Sequence, residues 1–111
     1  MWEKGEDKPD LVLEYKGKNA FLDWKGKHKP AWLVNKRAAL SYEKWRRKYN
    51  VSVFVAFAVI DDNGELTDFR IASLVHHKYT DSEKKEWDKN LTVRFLEDLP
   101  QFTKPSLLKF L

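Results

Sequence analysis

The 111-residue chain contains no cysteine, so a disulfide framework, a thiolate zinc site, an iron–sulfur cluster and a catalytic thiol are all excluded. Long apolar runs are missing too. The longest, Val53 to Ile60, falls far short of the roughly 20 residues needed to cross a bilayer, and the lysine-bearing start has no signal-peptide core. These absences predict a soluble, cytoplasmic protein with no membrane partner. Glycine is scarce, with four residues, and neither a Gly-rich phosphate loop nor a nucleophile elbow occurs, so an ATP-driven activity has no support. No internal repeat, low-complexity tract or linker interrupts the chain. A chain this short leaves room for one domain, residues 1–111, with a tail from about residue 97 whose structure is ambiguous.

Hydrophobic residues make up 42% and aromatic residues 14%, enough for a packed core, although a domain of this size gains from the extra buried surface of a dimer. The formal net charge is only +4, but it is unevenly spread. From Lys16 to Lys48 there are 11 basic residues against Asp23 and Glu43, a net of +9, whereas the rest of the chain nets −5. Such a segment attracts polyanions, because each cation set against a phosphate releases condensed counterions. Nucleic acid is therefore the partner that charge favours. The plain alternative is that these lysines solvate a helix face and a hairpin turn.

The periodicity predicts a β-hairpin first, with Leu11 to Tyr15 as one strand, Lys16-Gly17-Lys18-Asn19 as the turn and Ala20 to Lys25 as the other. Pro30 breaks the chain and Asn35 offers a helix cap. Apolar Val34, Ala38, Tyr42, Trp45 and Tyr49 then recur at helical spacing, with Lys36, Arg37, Lys44, Arg47 and Lys48 on the other face. Val51 to Ile60 is β-branched, aromatic and too continuous for a half-exposed strand, so it should be the middle of the sheet. Asp61-Asp62-Asn63-Gly64 is a hairpin signal returning through Leu66 to Leu74. Thr80 with Glu83 resembles a capping box for a polar helix up to about Asn90, followed by a strand at Leu91 to Leu96 and, after Pro105, a terminal helix over Ser106 to Leu111. The order β, β, α, β, β, α and an ambiguous tail predicts a mixed α/β or α+β sheet with helices packed on it.

Inside the first hairpin, Pro9-Asp10 opens one strand and Asp23-Trp24-Lys25 closes the next. If Lys16 to Asn19 form a four-residue loop, Tyr15 pairs with Ala20, Val12 lies opposite Asp23, and Asp10 lies opposite Lys25. Side chains alternate along a strand and opposed residues share a face, so Asp10, Val12, Glu14, Phe21, Asp23 and Lys25 fall on one side, a result any even-length turn preserves. Two carboxylates this close repel unless a cation lies between them, and hard oxygen ligands suit Mg²⁺ or Mn²⁺. Such a metal polarises a phosphodiester oxygen and acidifies a bound water, while the lysine orients the water or offsets charge building on the phosphate. The same residues also read as a strand start and an ordinary surface ion pair.

Pro9-Asp10, twelve intervening residues and then Asp23-Trp24-Lys25 resemble the PD-(D/E)xK nuclease signature, with spacing especially like that of archaeal-type Holliday-junction resolvases. The helix carrying Tyr42-Glu43-Lys44-Trp45 and the strand Val51 to Ile60 are similar to the elements that follow the catalytic hairpin in that superfamily. The resemblance covers roughly Pro9 to Ile60. It implies a restriction-endonuclease-like fold, a central mixed sheet flanked by helices. It further implies that Asp10 and Asp23 bind the metal, that the backbone carbonyl of Trp24 joins them, and that Lys25 is the catalytic lysine. Lys36 is similar in placement to an additional basic or amide residue near some sites of the superfamily. The chain departs from the pattern at the front: only nine residues precede Asp10, too few for the usual glutamate-bearing helix and its following strand. Either Glu3, Glu6, Glu14 or a partner subunit supplies that group, or the chain is a trimmed, weak or inactive member.

Other signals are weaker. His76 and His77 are adjacent, so on a strand they face opposite ways and cannot chelate together. The Asp61 to Gly64 run resembles a fragment of a calcium loop but lacks the remaining ligand spacing. Trp45 belongs to the apolar helix stripe, and Trp32, beside the basic loop, is the better base-stacking candidate. The reading that follows is a metal-dependent nuclease acting on DNA phosphodiesters, recognising backbone or shape. Its nucleic-acid contacts would come from Lys27, Lys29, Trp32, Lys36, Arg37, Lys44, Arg47 and Lys48. A homodimer or a protein partner would complete the site. The alternative is a nucleic-acid-binding module without catalysis, and a third reading is a protein-interaction or inhibitor module using its aromatic surface.

Overall fold

The computed structural model describes residues 8–28, 32–81, 92–96 and 98–111. A four-stranded sheet in the order β1-β2-β4-β5 forms the centre, from β1 (Leu11–Tyr15), β2 (Lys18–Lys27), β4 (Ser52–Ile60) and β5 (Leu66–Ser73). A second sheet, in the order β3-β7-β6, is built from β3 (Leu33–Asn35), β6 (Tyr79–Asp81) and β7 (Thr92–Phe95). Among the described residues there are two helices, α1 (Lys36–Tyr49) and α2 (Lys104–Phe110). The architecture is mixed α+β with a mixed central sheet: β1–β2 and β4–β5 pair antiparallel, while β2 and β4 pair parallel. Parallel neighbours need a crossover, and β3 with α1 provides it.

The first hairpin turns more tightly than its sequence predicts. Tyr15 pairs with Lys18, not Ala20, so the loop is the two residues Lys16 and Gly17, both left-handed at φ 50° and 79°. Turns with two positive-φ residues match the twist of the flanking strands, and that gain outweighs the cost of placing lysine there. The register therefore moves by two residues: Leu11 lies opposite Leu22 and Val12 opposite Phe21, which sets Asp10 against Asp23 and not against Lys25. The shared face is preserved because the shift is even.

β4 is interior, as its unbroken apolar run requires, and Val53 to Phe57 are buried without exception. Its alternating side chains feed two cores. Val53, Val55 and Phe57 pack with Phe21, Ala72 and the α1 residues Ala39, Tyr42 and Trp45, and Phe54 and Ala56 pack with Ala20, Leu22 and Ile71 beneath Leu107 and Phe110 of α2. Asn35 caps α1, its side chain accepting from the Ala38 N–H at 2.7 Å, and Asn50 ends the helix in the left-handed conformation. Asp61 Oδ1 accepts the Asn63 and Glu65 N–H groups, and Gly64 takes φ 80°. The run Asp61 to Gly64 is thus a hairpin turn whose first carboxylate is already occupied.

Other expectations change. Val34 lies in β3, not on the helix, and Thr80 lies in β6 instead of capping a helix; residues 82–90 are outside those described. The paired edges of β3 and β6 come from β7, a partner far away in sequence. His77 is buried and closes a turn in which its Nδ1 accepts the Ser73 N–H at 2.7 Å. His76 and His77 both meet the Phe110 ring, with centroids 5.3 and 4.9 Å away. Among the described residues no helix is long and apolar enough to cross a membrane.

Candidate active site

β2 has ten residues and β1 only five, so β2 continues past the start of β1 with β4 as its remaining strand neighbour. Asp10 stands where β1 would have gone on. Its Oδ2 accepts the Trp24 N–H at 2.7 Å, taking the place of the missing strand carbonyl. The N–H and C=O of one strand residue point to the same side, so the Trp24 carbonyl also faces the Asp10 side. The Trp24 ring goes to the opposite face, where it stacks at 5.2 Å on Phe69 and at 6.2 Å on Phe102.

Asp23 shares the α1-facing side of β2 with Phe21 and Lys25. Opposite it in β4 is Val55, and opposite Lys25 is Phe57, so the charged pair stands on an apolar floor. Lys25 Nζ lies 3.2 Å from Asp23 Oδ2, with 30% and 13% of the two side chains exposed. From the other wall the Tyr42 hydroxyl donates to the same Oδ2 at 2.5 Å. Burial and the hydrogen-bonded Asp10 carboxyl push Asp23 above the ordinary aspartate value, although Tyr42 and Lys25 pull the other way. Asp10 is held below it, first by its hydrogen bond with Asp23 and then by the Trp24 N–H. The two neighbouring carboxyls are thus pushed apart in proton affinity, Asp23 upward and Asp10 downward, as closely spaced acids are when no cation separates them. This donor set fits a hard divalent cation: two adjacent carboxylates and a carbonyl turned to their side.

Asp23 and Lys25 open on a cleft of about 320 Å³ lined also by Lys8, Asn35, Arg37, Ala38, Ser41, Tyr42 and Trp45. Asp10, Asp23 and Lys25 therefore come together as their spacing predicts. Glu14 does not join them. It lies on the same face but four residues up β1, about 13 Å away at strand rise, and no group of three metal-capable side chains occurs among the described residues. Glu3 and Glu6 lie outside those described.

The basic residues divide. Arg37 lines the cleft, whereas Lys44, Arg47 and Lys48 border a shallow groove with Leu40 and Glu43 on the outer side of α1. Lys36 opens α1 without lining the cleft. Lys27 follows Lys25 on the same face, its Nζ 6.0 Å from the Phe57 ring; burial, then the Lys25 charge, lowers its pKa. Lys29 is outside the described residues. Trp32 is not a free stacking platform: its ring packs on Phe57 at 5.5 Å and Arg70 lies 5.8 Å over it. Tyr42 is the residue that sequence reasoning places elsewhere. Its position on the apolar stripe marks it as core, and it is core, 1% exposed, but its hydroxyl reaches the site. A tyrosine, rather than a phenylalanine, at a fully buried position was the available signal, because a buried phenol needs a partner.

No protein-family model matches the chain, and no curated protein matches it. A solved structure of Hjc, a Holliday junction resolvase from the archaeal hyperthermophile Archaeoglobus fulgidus, is similar with a TM-score of 0.53 at 14% identity. The match covers 85% of this chain and 67% of that one. At this distance the likeness shows the fold alone, a mixed sheet flanked by helices.

Proposed function

We propose that the chain is a metal-dependent nuclease that hydrolyses DNA phosphodiesters, with its site on the β1–β2 hairpin. The observation that carries this reading is the convergence of Asp10, Asp23 and Lys25 where β2 outruns β1, on a fold shared with a Holliday junction resolvase. Asp10, Asp23 and the Trp24 carbonyl would hold Mg²⁺ or Mn²⁺. When bound, such an ion supplies Lewis acidity toward a phosphoryl oxygen and an acidified water. Asp23 would serve as a ligand through its carboxylate, and Asp10, tethered by Oδ2 to the Trp24 N–H, would offer its other oxygen. Lys25, salt-bridged to Asp23, presents an ammonium that offsets charge on the phosphate or orients the attacking water. Tyr42 fixes the Asp23 rotamer from α1. A third carboxylate would come from Glu3, Glu6 or a partner subunit, and a symmetric homodimer would present two sites to one duplex or junction.

The second reading, a binding module without catalysis, is favoured by the lack of a third metal-capable side chain at the site among the described residues. Labelled single-stranded, duplex, flapped and four-way-junction DNA incubated with Mg²⁺, Mn²⁺ or EDTA separates the two. Metal-dependent cutting that is lost in Asp23→Asn and in Lys25→Ala, with both variants folded by circular dichroism, supports the nuclease. Binding without cutting under every condition supports the module.

A further inference from the structure

Three of the six cations of α1 line up with a serine. Arg37, Ser41, Lys44 and Lys48 are spaced i, i+4, i+7 and i+11, which at about 100° per residue places them in one stripe. The stripe begins in the cleft, where Arg37 and Ser41 face Lys8, Lys25 and Asp23. From Arg37 to Lys48 it spans about 16 Å along the helix axis. Arg37, Lys44 and Lys48 are exposed along it.

Its starting end is oddly charged for a helix. The first turn of α1 contains no acid but opens with Lys36 and Arg37, and cations at a helix N-terminus oppose the macrodipole. Helix stability alone would favour acids there, whereas an anion seated beside Arg37 reverses the sign of that interaction. The volume of the cleft narrows the ligand. About 320 Å³ is at the small end of ligand pockets, sufficient for one nucleotide-sized group of a strand.

We infer that α1 is a track for a single nucleic-acid strand, whose backbone leaves the cleft and runs past Arg37, Ser41, Lys44 and Lys48. Arg37, with Lys8 across the cleft, holds the phosphate next to the one at the carboxylates. This rests on the proposed action on nucleic acid but not on catalysis. Arg37 and the lysines are binding residues, and recognition is of the backbone, not of bases.

The test is fluorescence anisotropy of a labelled 12-nucleotide oligo-dT in EDTA across a salt series. The comparison is between the unmodified chain and Arg37→Ala, Lys44→Ala, Lys48→Ala and, as an off-track control on α2, Lys104→Ala. Each track variant is expected to weaken binding and to lower the slope of log K against log salt by about 0.7, the value for one phosphate contact on a single strand, while Lys104→Ala changes neither. Absence of binding by the unmodified chain at low salt, or equal losses in Lys104→Ala and the track variants, overturns the track. Metal-dependent cleavage by the unmodified chain, with binding unchanged in Arg37→Ala, also overturns it and leaves the nuclease standing. Weakened binding in the track variants, with no cleavage by the unmodified chain, does the reverse.

Discussion

Tyr42, buried to 1% of its surface on α1, donates its hydroxyl hydrogen to Asp23 Oδ2 at 2.5 Å, and so joins the helix to the carboxylate pair across the gap between α1 and the sheet. The bond also works against the burial and the Asp10 carboxyl that push Asp23 up.

Tyr42→Phe retains the ring and removes only this bond. Leaving a half-buried carboxyl short of a partner costs about 1–3 kcal/mol of stability, read as a lower urea midpoint at unchanged m-value. As a positioning residue, Tyr42 should matter more for turnover than for DNA affinity. The expected result is a fall in kcat of about 10- to 100-fold, as for other groups that orient ligands from behind, with KM unchanged and part of the loss recovered at higher Mg²⁺. A purely structural role predicts the stability change without the metal-dependent recovery.

The Lys16-Gly17 turn makes a second prediction. Both residues are left-handed, and a Cβ added at Gly17 meets nothing within 4 Å, so the penalty for Gly17→Ala is conformational alone, about 1–2 kcal/mol. Lys16→Asn should go the other way by a few tenths of a kcal/mol, because asparagine tolerates this region better than lysine. Thermal denaturation of the two variants checks both signs. Stabilisation by Gly17→Ala would contradict the two-residue turn and restore the four-residue loop.

Legibility in the sequence followed the range of the interactions. The hairpin strand Leu11 to Tyr15, the capped helix, the interior β4 and the return through Asp61 to Gly64 all carry local period or turn chemistry, and all were readable. β3 and β6, three residues each, are too short to show a period and exist because β7 pairs with both. The turn length was not readable because a lysine at φ 50° carries no residue-type signal. Asp10, Asp23 and Lys25 were placed together correctly despite that error, since face depends only on whether the turn is even. Glu14 passed the same face test and still lies remote, because alternation fixes which side a residue takes and not how far along it sits. The Tyr42 contact crosses from helix to sheet, and no local pattern encodes it.

Asp10→Asn separates function from folding. The Asn amide oxygen can still accept the Trp24 N–H that Asp10 Oδ2 accepts at 2.7 Å, so the hairpin end keeps its closure. The carboxyl whose hydrogen bond pushes Asp23 up becomes a neutral amide. The melting temperature should therefore hold or rise, as is common where active sites carry uncompensated charge, while calorimetric Mg²⁺ binding and cleavage are both lost. A variant that melts markedly lower would make Asp10 a structural cap and weaken its assignment to a metal.

Glu43 offers a pH dependence away from the site. Burial pushes its carboxyl up, but the Tyr79 hydroxyl together with Arg46 and Arg47 outweighs burial and holds it below the ordinary glutamate value. Tyr79 is in turn pushed up to about 12, by burial and then by Glu43. A carboxyl depressed in the folded state binds its proton more weakly there than in the unfolded chain. Its contribution is therefore complete above the unfolded value of about 4.3 and disappears as pH falls through the lower folded value. Asp68, held down chiefly by its hydrogen bond from Arg70, follows the same sign and leaves a background slope in any Glu43 variant. Glu43→Gln, a neutral mimic of the protonated acid, isolates the Glu43 part. Its urea midpoint should lie below that of the unmodified chain at pH 6, with the difference shrinking toward pH 3 as the native Glu43 itself becomes neutral. An offset that stays constant over this range would show that the substitution disturbs packing alone and that the Tyr79, Arg46 and Arg47 contacts do not discriminate charge.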